Sequence, residues 1–217
     1  TRGMPVLFWF FFMIMEKTLL IFLCLLGQRA LSEEYHITTA QSFISFSKAV
    51  NSGQSYSGTT VFLDTDIDFS GSLSEQFEPI GNDWDNYFQG TFDAQGYTIS
   101  NLAMNSSSQY AGLFGYSEGT TIKNVVLGSS SPAVSSCSDS CSSYVYIGEV
   151  IGECYASVGP CIIENIVNMA SVSFIGNISR ILYIGGIVGE LYSSSNEVTV
   201  KNCANYGSVT HSGTVSG

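Results

Sequence analysis

The chain repeats itself, and that limits its fold more than any other feature. Tyr146–Gly152 reads YIGEVIG, and Tyr183–Gly189 reads YIGGIVG 37 positions later. The shift of 37 persists without a gap: Glu153 meets Glu190, Asn165 meets Asn202, Asn168 meets Asn205, and Gly176 meets Gly213. A looser copy lies upstream, where GLFG at 112–115 places Gly115 a further 37 before Gly152. IKN at 122–124 corresponds to IEN at 163–165 and VKN at 200–202. A unit this short does not bury an apolar face alone, so its copies must stack and share one core.

Each unit holds short apolar runs punctuated by Gly and Asn, with no helical period. Such units read as a β-solenoid, with 37 residues forming two turns of about 18 each and rungs about 4.8 Å apart. Equivalent residues then form ladders, apolar ones inside, Asn at inward-facing bends and Gly at corners. Asn124, Asn165 and Asn202 are one such structural ladder, because Asn tolerates the left-handed conformation that a bend needs. Gly115, Gly152 and Gly189 are another. Upstream, Val61, Leu63, Ile67 and Phe69 alternate with Phe62, Asp64, Asp66 and Asp68, as in half-buried strands. Residues 90–102 read as strand, turn at Gln95-Gly96, and strand. Phe43, Ile44, Phe46, Ala49 and Val50 fit one face of a short helix, opened by Thr38 or Thr39 and closed near Asn51-Ser52-Gly53. It is expected to cover an end of the stack, where the first rung would otherwise be an open edge.

The first 32 residues read as an address. With a start at Met15, Lys17 forms a basic n-region, Leu19–Leu26 an apolar h-region, and Ala30 and Ser32 the small residues before a cleavage site. The competing reading is a membrane anchor over residues 5–27, with Glu16 and Lys17 falling inside it at a cost of about 2.5–3.5 kcal/mol each. The expected layout is 1–32 signal peptide, 33–58 cap with the helix, and 59–217 repeats. HSGTVSG has no capping element, so the array reads as a piece of a longer protein. The whole chain has 7 basic and 18 acidic residues, a net charge of −11. That excludes a nucleic-acid partner, which needs a basic face for phosphates. Asn105-Ser106-Ser107 and Asn177-Ile178-Ser179 are glycosylation candidates.

TTVFLDTDIDFSG (59–71), PIGN (79–82), GTFDAQGYTISNL (90–102), AGLFG (111–115), IKNVVL (122–127), and later IGGIVG with VKNCANYGSV, resemble the GLUG-motif repeat proteins. The resemblance spans roughly residues 37–213. It implies a right-handed parallel β-helix in secreted or surface proteins, often adhesin-like, and also used as accessory regions of large extracellular peptidases. It carries no catalytic residues to transfer. The chain departs from the pattern in a Ser- and Cys-rich insert at 129–144 and in GEVIG (148–152), where Glu149 replaces a small or apolar residue.

Cys24 falls in the address segment, leaving Cys137, Cys141, Cys154, Cys161 and Cys203. In the repeat register, Cys154 and Cys161 lie 37 before Leu191 and Val198, an apolar pair flanking a loop. A Cys154–Cys161 disulfide would clip the equivalent loop, YASVGP, and Cys137–Cys141 would close the insert. Four cysteines allow three connectivities, and the sequence leaves the others open. Cys203 corresponds to Ile166, a small core residue.

Chemistry is sparse. Asp64, Asp66 and Asp68 on one face are the carboxylates a polysaccharide hydrolase or lyase would use, or a Ca²⁺ site. No Arg or Lys clusters with them, and a solvated acidic face is the plainer reading. His36 and His211, at opposite ends of the chain, offer no triad or metal spacing. Tyr110, Tyr146, Tyr183 and Tyr192 fit either a sugar-stacking face or packing from rung to rung. The sequence therefore points to a non-enzymatic scaffold without cofactor or metal. It would bind an extracellular ligand, a glycan or a cell-surface protein, on loops such as 129–144 and 154–161.

Overall fold

The computed structural model describes residues 32–71, 77–102, 109–128 and 144–215, and the backbone of 133–135. Residues 1–31, with the apolar region and the proposed anchor, Asn105, Cys137 and Cys141 lie outside the described residues.

Parallel pairing in strict register builds the molecule. Strand β1 (Glu33–Ile37) is followed by helix α1 (Ala40–Val50), then β2 (Thr59–Leu63), β3 (Ile67–Asp68), β4 (Thr91–Asp93) and β5 (Thr98–Ser100). One repeat tier holds β6 (Tyr110–Ala111), β7 (Phe114–Glu118), β8 (Thr121–Lys123), β9 (Val126–Leu127) and β10 (Ala133–Ser135). The next holds β11 (Val145–Gly148), β12 (Ile151–Ala156), β13 (Cys161–Glu164), β14 (Val167–Asn168) and β15 (Val172–Ile175). The last described tier holds β16 (Leu182–Gly185), β17 (Val188–Ser193), β18 (Val198–Lys201), β19 (Ala204–Asn205) and β20 (Val209–Ser212). Each tier gives one strand to each of five parallel sheets; the longest runs β1-β2-β4-β8-β13-β18.

The register corrects the expected period. Tyr146 pairs with Tyr183 and Glu153 with Glu190, so strands 37 apart are neighbours. Thirty-seven residues make one circuit of five short strands, not two turns of about 18, because the corners consume the residues between strands. Along the longest sheet Tyr35, Val61, Phe92, Ile122, Ile163 and Val200 stack in order, although their separations in sequence differ.

Val61, Leu63, Ile67 and Phe69 are buried and Asp64, Asp66 and Asp68 exposed, as the alternation requires. Thr39 caps α1: its hydroxyl accepts from the Ser42 N–H, and Ser42 returns a bond to the Thr39 backbone. The helix buries Phe43, Ile44, Phe46 and Val50. Phe43 meets Phe69 edge-on at 5.6 Å, and Phe46 meets Phe88 at 5.7 Å. The helix face is thus fused to the core of the first tiers.

Asn124, Asn165 and Asn202 have φ of 57°, 55° and 53°. The amide of Asn202 donates to Asn165 at 3.1 Å, that of Asn165 to Asn124 at 2.9 Å, and that of Asn124 to Asp93 at 2.8 Å. This ladder lies on the outside, at half-buried and exposed positions, rather than at inward bends. The inward Asn is Asn168, fully buried, whose amide donates to Asn205, Gly186 and Ala170. Gly115, Gly152 and Gly189 sit inside strands, not at corners with positive φ. A Cβ on Gly152 would stand 2.6 Å from the Gly115 carbonyl oxygen, and one on Gly189 equally close to that of Gly152. These glycines are required for close approach of backbones.

Replacing Asn165 with Ala places a Cβ residue without a bonding side chain at φ 55° and breaks the amide ladder on both sides. The expected loss is about 2 kcal/mol in denaturant unfolding. Asn165→Gly should lose less than the alanine variant, because glycine relieves the backbone and forfeits only the bonds.

Candidate functional site

The three aspartates are each engaged by a different partner. Asp64 engages His36 Nδ1 at 3.0 Å. Asp66 accepts the Thr98 N–H at 2.7 Å, from the neighbouring tier. Asp68 accepts from the Asn101 amide at 2.8 Å and from the Ser70 N–H, bonds that hold its carboxyl below the ordinary range. Their carboxylates are thus used within turns and between tiers. His36 also lies 3.6 Å from Glu34, and hydrogen bonding to Asp64 raises its pKa. Among the described residues no three His, Cys, Asp or Glu side chains converge as a metal site would require.

Chemistry gathers instead where the outer faces of two sheets meet. Tyr110 stacks on Tyr146 at 5.3 Å and 11°, and Tyr146 on Tyr183 at 5.2 Å and 1°. The rings lie on successive tiers of β6, β11 and β16, so much of each inner ring's faces is covered by its neighbours. Tyr192 belongs to another ladder, over Tyr155 at 5.2 Å on β17 and β12. On the adjoining sheet Tyr116, Glu153 and Glu190 occupy one register line across β7, β12 and β17. The two walls touch, because Tyr110 meets Tyr116 edge-on at 5.2 Å.

Glu153 is only 9% exposed. Burial, then the charge of Glu190, pushes its carboxyl up to about 7. Burial also raises Glu190, while a hydrogen bond from Tyr183 offsets part of that rise. Burial, then Glu153, raises Tyr110 to about 12, and the same two causes raise Tyr116 and Tyr146. The 37-residue shift in the sequence already places Glu153 beside Glu190; the aromatic wall that dries Glu153 comes only with the fold.

The opposite treatment of charge appears on the longest sheet. Asp93, Lys123, Glu164 and Lys201 fall in one register line with alternating signs. Lys123 pairs with Asp93 at 3.3 Å and Lys201 with Glu164 at 2.6 Å. Beside them Asp93, Gln95, Gly96, Asn124, Val126 and Asn165 line an open groove of about 510 Å³.

Cys154 and Cys161 form a disulfide across the base of the 155–160 loop, both buried, with Cα atoms 6.6 Å apart. They occupy the inward positions that Leu191 and Val198 hold one tier on. The loop is also tied by Ser157 to Glu118 and by the Asn196 amide to the Ser157 carbonyl at 2.7 Å, leaving Val158 58% exposed. Cys203 is a free, half-buried thiol packed against the core, less enclosed than its counterpart Ile166. Glu149 is fully buried at the corner where the next repeat has Gly186. Asn177 is exposed, and its side-chain oxygen accepts from the Thr214 N–H and hydroxyl at 2.9 Å.

No family model and no curated protein matches the chain. A match among solved structures is the crystal structure of a "putative immunoglobulin A1 protease" from Bacteroides ovatus, at 18% identity and a TM-score of 0.47. It covers 84% of this chain and 68% of that one. Likeness at that level bears on neither the activity nor the partners of this protein. No described helix is long and apolar enough to cross a membrane.

Non-reducing peptide mapping should recover a Cys154–Cys161 linked fragment. Replacing both cysteines with alanine should cost about 2–3 kcal/mol, from the freed loop of the unfolded chain, with the parallel sheets retained by circular dichroism.

Proposed function

We propose that this chain is a non-enzymatic scaffold, a right-handed parallel β-helix of the GLUG-motif kind, acting at a cell surface or after secretion and displaying loops to a ligand. The observation that carries it is the fate of the polar side chains. Asp66, Asp68, Asp93, Asn124, Asn165, Asn168 and Lys201 each bond to the adjacent tier or the adjacent turn, so they hold the stack rather than a substrate. Right-handed winding is the hand that parallel strand crossovers adopt almost without exception. The repeat motifs support the family, and the apolar stretch before Glu33 supports export.

The turn at 157–160, fixed at its base by the disulfide and at its side by Asn196, exposes Val158 on a rigid projection suited to recognition. Its ligand is a glycan or a cell-surface protein. Carriage of this module on a larger extracellular peptidase is compatible with the same role, the scaffold then positioning a neighbouring catalytic part.

The full chain should bind members of a glycan panel or intact cells, and Val158→Asp should weaken that binding tenfold or more while the unfolding midpoint stays unchanged. Absence of binding to both panels overturns the proposal. Release of product from acidic polysaccharide, lost in Asp66→Ala, would replace it with a catalytic role.

A further inference from the structure

Among the described residues, Asp66, Asp68, Asp93, Glu164 and Lys201 meet a hydrogen-bond donor or an opposite charge on the next tier. Glu153 meets Glu190. The pair sits in register on β12 and β17, at the tier spacing of a parallel sheet, about 4.8 Å. Glu153 is nine-tenths buried, and no donor among the described residues reaches its carboxylate. Glu190 is served by the Tyr183 hydroxyl, which steadies its charged form. The groups facing the pair are the phenols of Tyr116 on β7, Tyr110 on β6, Tyr146 on β11 and Tyr183 on β16, with Glu118 and Asp83 beyond them. Three of the described cations are committed elsewhere: Lys123 to Asp93, Lys201 to Glu164, and Arg180 over the Tyr144 ring at 5.8 Å.

We infer that Glu153 and Glu190 form a proton-operated latch that holds the tier β16–β17 against β11–β12. With one proton on Glu153 the line carries a single charge, and that charge is the one Tyr183 supports. Loss of the proton leaves a buried charge on Glu153 beside the like charge of the half-buried Glu190 one tier on, and the outer tier loosens. Glu153 titrates near 7 when stacked and near the ordinary glutamate value of 4.5 when the tier opens. Its contribution to closure is therefore complete below 4.5 and is lost as pH rises to about 7. The latch stands whether or not the ligand proposed above is correct.

Amide hydrogen exchange on the full chain between pH 4.5 and 8.5 tests this, with protection corrected for intrinsic rates and read in β12 and β17. Protection of β17 should fall by up to about tenfold per pH unit until pH 7 and then level off. Glu153→Gln should remove most of that fall, leaving the smaller part due to Glu190, and be better protected than the native chain at pH 8. Glu190→Gln, which keeps Glu153 but removes its charged neighbour, should move the fall to lower pH. The same pH dependence in the native chain and Glu153→Gln overturns the latch. If Glu153→Gln does not fold, a Glu190→Gln profile superimposable on the native one does so instead.

Discussion

Parallel strands paired in register place every residue over its own counterpart, and the rest of this structure follows from that. Stacking like on like suits groups that attract their own kind. Apolar side chains merge into one core, and tyrosine rings lie flat against one another in the Tyr110–Tyr146–Tyr183 column. Asparagine suits it best, since its amide is donor on one side and acceptor on the other, so Asn202, Asn165 and Asn124 form a chain of bonds that ends on Asp93. Ionised groups fare worst. The line Asp93–Lys123–Glu164–Lys201 resolves the conflict by alternating sign from tier to tier. Glu153 over Glu190 leaves it unresolved.

The repeat made much of this legible beforehand. Aligning YIGEVIG with YIGGIVG gives the pairing partners of β11 and β12 residue by residue. The alternation around Val61, Leu63 and Ile67 separates core from solvent, and the Thr38-Thr39 pair marks the start of the helix to within one residue. The Cys154–Cys161 bond follows from the apolar pair that takes its place one tier later. In each case a local pattern and the stack demand the same thing, so either suffices to find it.

What the repeat leaves hidden is how far the chain travels before it closes on itself. A period of 37 is compatible with one circuit or two, and only the corners decide, because they set how many residues lie outside the sheets. The inward or outward direction of a bend is hidden for the same reason: Asn165 and Asn168 stand three residues apart, yet one faces solvent and the other the core. Dryness around Glu153 is also invisible locally, since Tyr116 and Tyr146 come from different tiers and different sheets. For Asp64, Asp66 and Asp68 the alternation makes exposure legible but hides the partners, since Asp66 and Asp68 bond one tier along to Thr98 and Asn101.

On the longest sheet, the steps from Tyr35 to Val61, Phe92, Ile122, Ile163 and Val200 are 26, 31, 30, 41 and 37 residues, yet each is a single step in space. Height along the stack is thus counted in tiers, not in residues. A gene encoding such a protein can gain or lose codons at the corners, as at 157–160, and the next strand still finds its seat. One codon lost within β12 would be another matter: the frame of faces would invert, turning Cys154 and Ala156 outward and driving Glu153 and Tyr155 into the core. Length can therefore vary at the bends but not in the strands, so loops can differ on a frame that stays the same.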